Sequence, residues 1–281
     1  MGAGIINAAS ISGSLDAKNI AIGVLKKQIE VSNLVELCQP VDVPELTATI
    51  PIQSIMEGAE DLGDWEWSEI EGSDFTNVDF SLKKDRIKIG VSDEAKYKSR
   101  AGDPLALQIS AGGMRLANIL DKKIVTAMQI SPQTAATSAI WSTVTNNPLR
   151  DLAKACAGIR PYKADFVVMP SAVWSAFVGN DYTSKFAEGN PDAMSKATAI
   201  VPGLGLKVYI NENVTAKSIL VGCSGAPGCA VGNGPVEVRT FDSERGGKIY
   251  QMDVWRQAKA PIIKNASNLN MGIYQVTAVI A

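Results

Sequence analysis

The chain contains no histidine, and that limits what its remaining reactive side chains could do. Without imidazole there is no Ser-His-Asp or Cys-His nucleophile system, no His-ligated zinc or iron, and no ordinary proton shuttle near neutral pH. A few patterns are left to weigh. Ser81-Leu82-Lys83-Lys84 matches the SxxK spacing in which a lysine deprotonates a serine nucleophile. It falls in a stretch that alternates like an exposed strand instead of at a helix start, and neither an SDN nor a KTG partner accompanies it. Gly222-x-x-Gly225-x-x-Gly228 and Gly203-Leu204-Gly205 suggest dinucleotide loops, but that fingerprint needs GxGxxG between a strand and a helix. These glycines read as turns or close-packing positions. No GxxxxGK[ST] phosphate cradle is present.

Carboxylates are dense between Glu57 and Asp79, where nine acidic residues occur with no basic one. They could work as acid and base or hold a divalent cation, yet no DxDxDG loop with a following Glu organises them. Solvation is the default reading, and a structural Ca²⁺ or Mg²⁺ between subunits is the alternative. Four cysteines are spread along the chain, and Cys223 and Cys229 lack zinc-ligand spacing. They leave a local disulfide or two buried thiols, and a reduced compartment favours the thiols. No cofactor and no catalytic residue is expected.

The 281 residues are 46% hydrophobic and 20% charged, enough for a substantial core without disulfides or metals. Lys plus Arg number 27 against 29 for Asp plus Glu, so no global basic field advertises nucleic acid or an anionic membrane. Arg239, Arg245, Arg256, Lys259 and Lys264 place local positive charge near the C-terminus without the interleaved aromatics of a single-strand binder. Weak, sequence-blind contact with a polyanion stays open. No apolar run reaches the roughly 18 residues of a membrane span, and the first residues lack the basic flank of a signal peptide, so an intracellular protein is expected.

Residues 1 to 50 read as an arm with one amphipathic helix over Asp16 to Glu30. Asp16 is its N-cap, and Ile20, Ile22, Val24, Leu25 and Ile29 form its apolar face. A lone helix of that length needs a surface, which another subunit could supply. A long, two-limbed β excursion follows. Its acidic part carries Glu60, Asp61, Glu69 and the interleaved Trp65 and Trp67; the sign then reverses at Lys83, Lys84, Arg86 and Lys88. The bland reading is a charged hairpin whose limbs screen each other. The functional one is a projecting loop that docks on a neighbour of complementary charge. Asp103 and Pro104 then open a helix with an apolar stripe at Leu107, Leu116, Leu120, Ile124 and Met128, about 40 Å long, which Gly112-Gly113 could kink. From 147 to 222 the cadence is α/β. Asn147-Pro148 starts a helix with Leu149, Leu152, Ala153 and Cys156 inward, Asp165 to Met169 is a buried strand, and Pro170-Ser171 caps a helix carrying Trp174 and Phe177. Further strands fall at Gly205 to Ile210 and Ser218 to Gly222. Val236 to Thr240 and Ile249 to Trp255 form a hairpin around Asp242 to Gly247, and β-type residues close the chain.

This order resembles the HK97-like major capsid proteins of tailed viruses, an α+β fold with an N-terminal arm, an extended β-hairpin E-loop, a long spine helix, a P-domain and an α/β A-domain. Asp165-Phe166-Val167-Val168-Met169-Pro170 with the Trp174 helix looks like the family's A-domain strand and helix; Val236 to Thr240 with Val254-Trp255-Arg256 looks like its P-domain strand pair. The resemblance implies an N-arm at 1–50, E-loop at 51–97, spine helix at 98–138, A-domain at 139–235, P-domain hairpin at 236–258 and a return to the A-domain at 259–281. It implies a virion protein, assembled in the host cytoplasm, that associates with itself as hexamers and pentamers into an icosahedral shell around double-stranded DNA. DNA contact would be non-specific, and portal, scaffolding and decoration proteins are further possible partners. The interface would involve the acidic and basic residues of the excursion together with Asp242, Glu244 and Arg245 at the hairpin turn. An encapsulin compartment is the first alternative, and a histidine-free α/β enzyme using Ser and Lys is the second.

Overall fold

The structure, a computed structural model, describes residues 11–12, 15–53, 75–92, 94, 104–130, 132–137, 140–143, 146–183, 201, 203–225, 227–243, 246–260 and 269–280. Two five-stranded sheets share one long helix. In the first sheet, β10 (Ala230–Asp242) pairs antiparallel with β11 (Lys248–Lys259), and β5 (Lys83–Val91) extends β11 antiparallel from Lys83↔Arg256 to Val91↔Lys248. The short strands β1 (Ile11–Ser12) and β2 (Gln39–Asp42) run parallel to β10 at different heights. Strand pleating sends alternate side chains to opposite faces. Ile87, Ile89, Val236, Val238, Met252 and Val254 go one way, into a core with α1 (Leu15–Val31) and Leu116 of α2 (Pro104–Met128).

Helix α2 starts at Pro104, as its sequence predicts, and runs unbroken through Gly112-Gly113. Those two glycines are packing positions. A Cβ on Gly113 would lie 2.6 Å from Lys27 Cβ and 2.9 Å from the Val24 carbonyl oxygen, because α1 lies against α2 there. Ser32, just past α1, donates to Asp121 on α2 at 2.5 Å. The arm helix therefore rests on the chain's own α2 and β10. Asp16 sits inside its first turn instead of capping it, and Ile29 is half exposed. Leu107 is exposed as well; the buried residues of α2 begin further along, with Gly112 and Gly113 and then Leu116.

The second sheet has the order β6-β12-β9-β7-β8, from β6 (Pro132–Ala136), β7 (Phe166–Met169), β8 (Lys207–Ile210), β9 (Ile219–Gly222) and β12 (Asn270–Thr277). Strand β7 is buried on both sides. Phe166 and Val168 face Leu120, Ile124 and Met128 of α2, while Val167 and Met169 face α3 (Pro148–Gly158) and α4 (Ser171–Val178). Asn147 caps α3 by accepting from the Leu149 N–H at 3.0 Å. The buried face of α3 carries Asp151, Leu152 and Ala155, and Ala153 is exposed. That face is rotated from the expected one because the Asp151 carboxylate points inward, held by Trp141 Nε1 at 3.0 Å and Thr137 Oγ1 at 2.5 Å.

The excursion is a two-stranded ribbon of β3 (Thr47–Gln53) and β4 (Phe75–Ser81), in register from Thr47↔Ser81 to Gln53↔Phe75. Leu82 ends it. Its N–H donates to the Leu46 carbonyl at 2.8 Å, and its side chain is buried with Val43, Val78, Phe80 and Ala230. The chain then turns into β5, so the basic segment from Lys83 is a strand of the first sheet and does not belong to the ribbon. Two of its four cations, Lys84 and Arg86, meet Asp253 inside that sheet.

Gly113→Ala is expected to lower the unfolding free energy by about 1–3 kcal/mol, since the steric cost of separating α1 from α2 exceeds the roughly 1 kcal/mol gained in helix propensity. Gly112→Ala meets the ends of two flexible side chains, Ile89 Cδ1 at 3.3 Å and Ile87 Cγ2 at 3.5 Å, and is expected to be near neutral. Urea titrations of the two variants check the contrast.

Candidate assembly surfaces

The face of the first sheet turned away from the helices is charged, and strand register explains how its charges meet. Arg86 on β5 stands opposite Asp253 on β11. Its guanidinium grips that carboxylate with both prongs, Nε to Oδ1 at 2.7 Å and Nη2 to Oδ2 at 3.0 Å. Lys84 Nζ lies 3.6 Å from Asp253 Oδ2 and 4.6 Å from the centre of the Trp255 ring, a cation over an aromatic face. Gln251 Nε2 adds a donor at 3.3 Å. The Asp253 side chain is only 1% exposed, and the hydrogen bonds from Arg86 hold its carboxyl below the usual carboxylate range. Lys84 and Arg86, expected to be docking charges, are thus fastened to a partner within their own sheet.

On the opposite, helix-facing side, Lys123 of α2 reaches Asp85 Oδ2 at 2.6 Å and the Arg256 carbonyl at 3.1 Å. Lys83 and Lys88 are exposed. Asp242 is exposed at the end of β10, opposite Lys248. There the turn is closed by Ser243 N–H to the Gly247 carbonyl at 2.9 Å. Gly247 has φ +99°, and a Cβ would lie 2.3 Å from the Val91 carbonyl oxygen, so only glycine fits. Glu244 and Arg245 lie outside the described residues, as do Glu60, Asp61, Trp65, Trp67 and Glu69.

No protein-family model and no curated protein matches this sequence. Solved structures do. A virus-like particle from Pyrococcus furiosus aligns over 94% of this chain and all of its own, at 9% identity and TM-score 0.63. The capsid of a native GTA particle aligns over 88% of this chain and 90% of its own, at 15% identity and TM-score 0.64. The SrpI encapsulin of Synechococcus elongatus PCC 7942 covers 89% of each chain, at 11% identity and TM-score 0.60. The chain has the HK97-like capsid fold. It is the α+β architecture that the order of elements implied, and the likeness runs through both sheets and the shared helix.

Within this HK97-like fold the reactive patterns take structural places. Ser81 ends β4, and the Lys84 ammonium is turned to Trp255 and Asp253, so SxxK has no helix start. Gly222 is where Phe166 packs, with a Cβ only 2.5 Å from its Cζ, and Gly203, Gly205 and Gly225 take positive φ in turns. All four cysteines are free thiols, with Cys223 and Cys229 buried. Burial pushes the Cys223 thiol up to about 11, which suppresses thiolate chemistry. Among the described residues no three His, Cys, Asp or Glu side chains gather as metal ligands, and no helix is long and apolar enough to cross a membrane. Asp253, Asp85, Lys123 and Arg256 were not singled out as a group by the sequence, because their meeting depends on strand register and on where α2 crosses the sheet.

Asp253→Ala leaves Arg86 and Lys84 without their carboxylate and is expected to cost about 2 kcal/mol in urea unfolding at pH 7. A carboxyl held low in the folded state stabilises above its unfolded value of about 3.9 and loses that contribution as pH falls through the folded one. The difference between parent and variant should therefore be constant at neutral pH and shrink on acidification below about pH 4.

Proposed function

We propose that this protein is the major capsid subunit of a tailed virus, assembling as pentamers and hexamers into an icosahedral shell around double-stranded DNA. In this reading the ribbon and the residues between its strands are the E-loop, α2 is the spine helix, the first sheet is the P-domain and the second is the A-domain. The observation that carries it is the β3–β4 ribbon on an HK97-like body. Among the described residues the two strands share a ladder with no third strand, and a two-stranded ribbon is marginal in water. This ribbon is packed at its base by Val78 and Phe80 and leads at its far end into the acidic, tryptophan-bearing segment 57–74.

That segment is the bracing element, lying over the next subunit. Trp65 and Trp67 are its anchors, since tryptophan is enriched where interfaces lose water. Glu60, Asp61 and Glu69 set its register against positive charge, including the exposed Lys83 and Lys88. At the other end of the molecule, Asp242, Glu244 and Arg245 meet their equivalents where several subunits converge. Contact with packaged DNA is sequence-blind, and the reading requires no catalytic group.

Deleting Glu60 to Asp74 should leave a soluble, folded subunit that no longer closes into shells. Negative-stain electron microscopy with light scattering checks this: normal particles from the deletion would refute the bracing role. Parent particles tens of nanometres across that enclose DNA support the viral reading, and particles that enclose a protein cargo transfer the shell to the encapsulin class, as the likeness to the Synechococcus encapsulin allows. A compact monomer or dimer with a Ser or Lys dependent activity would point to the enzyme class instead.

A further inference from the structure

Between α2 and the paired ends of β5 and β11 lies a cleft of about 610 Å³. Five cationic side chains line it: Lys83, Arg115, Lys122, Lys123 and Arg256; no carboxylate is among its lining residues. Asp85 stands nearby, but Lys123 already holds it at 2.6 Å. Arg256 is the informative member. It follows Met252 and Val254 on the helix-facing side of β11 and is 2% exposed. Its Nε and Nη1 have no hydrogen-bond partner among the described residues. Directly opposite in register stands Asn233, also buried, whose side-chain oxygen and nitrogen lack partners as well.

A guanidinium taken out of water with two nitrogens unpaired is costly. Burial draws its pKa down to about 10 even though Asp85 opposes the fall, so it stays charged at neutral pH. Like charges gathered in a concavity raise the local potential further. With Lys123 committed to Asp85, the four remaining cations, Lys83, Arg115, Lys122 and Arg256, favour a ligand with several negative charges and several acceptor oxygens over a single carboxylate. The arginine fork matches a phosphate geometrically.

We propose that this cleft is a binding site for phosphate groups, with Arg115 and Lys122 at its rim and Arg256 at its floor. The phosphate could be free oligophosphate or the backbone of a nucleic acid. The site is a property of the single chain and does not depend on the shell reading.

The test uses the full chain in chloride buffer, adding sodium tripolyphosphate, a labelled 12-nucleotide single strand or a 20-base-pair duplex, with ionic strength matched by NaCl. Tripolyphosphate should raise the thermal midpoint by several degrees, increasing with the logarithm of its concentration as binding to the folded state requires. The double variant Arg115→Glu/Lys122→Glu changes two exposed residues and should weaken binding at least tenfold. Arg256→Met should unfold at a higher temperature than the parent in chloride, because it removes a buried unpaired charge, yet show no response to tripolyphosphate. Oligonucleotide binding that tripolyphosphate displaces assigns the site to nucleic acid, and tripolyphosphate binding alone assigns it to free phosphates. The proposal is overturned by a midpoint that rises no more than in matched NaCl, by binding that the Glu variants leave unchanged, or by a cleft that takes only a synthetic peptide of residues 57–74.

Discussion

One helix has to satisfy two cores, and the rest of the molecule is arranged around that demand. Along α2 the buried residues change partner part-way. Leu116 joins Ile87, Val236 and Val254 beneath the first sheet, whereas Leu120, Ile124 and Met128 join Phe166, Val168 and Leu220 beneath the second. Each fully buried Leu, Ile or Met contributes about 2 kcal/mol of transfer free energy, so neither half of the helix can leave its sheet without loss. The two sheets are thereby fixed on one rod. Gly113 then lets α1 close against that rod, which draws the N-terminal segment into the body before β2 runs beside β10.

Polarity follows from the same arrangement. Because α1 and α2 cover one face of the first sheet, the pleat must carry charge on the other, and register decides which charges meet. Arg86 and Asp253 stand opposite each other, and Lys84 stands opposite Trp255. The result is a face on which Arg86 and Lys84 already hold a carboxylate, while Lys88 is exposed. The unsatisfied positive charge is found on the helix side instead, where the last turns of α2 reach beyond the sheet's apolar stripe to Lys83, Asp85 and Arg256.

Most of the architecture was legible because it rests on local rules. Pro104 after Asp103, Asn147 before Pro148, the Phe166–Met169 run and the alternation of β10 and β11 each announce an element through capping, burial or period, and their order implied the HK97-like fold. Where sequence and structure part, one cause recurs. A single helix taken alone makes Asp16 a cap, Leu107 and Ile29 buried, Ala153 inward and Gly112-Gly113 a kink. What decided them was the neighbouring element: α1 pressing on Gly113, or the Asp151 carboxylate captured by Trp141 and Thr137. The basic segment after Leu82 was joined to the excursion on charge contrast along the chain, although Asp253, 167 residues from Arg86, is what matches it in space. Pairings of that sequence separation leave no mark in a window of neighbouring residues.

The same separation explains how a chain of net charge −2 can carry strong local fields. Its acidic run and its basic cleft belong to different levels of organisation, one written consecutively between Glu57 and Asp79, the other assembled from β5, α2 and β11 only when the sheet closes. A charge run is available to a partner as soon as it is synthesised, whereas a cleft built from three elements exists only in the folded subunit. Arg256 depends on this most. Its neighbours Trp255 and Gln257 face the other side of the sheet, and nothing adjacent in sequence indicates that a guanidinium will lie beneath a helix without a carboxylate to bind. Folding creates that electrostatic demand, and any anion that answers it binds the folded chain in preference to the unfolded one.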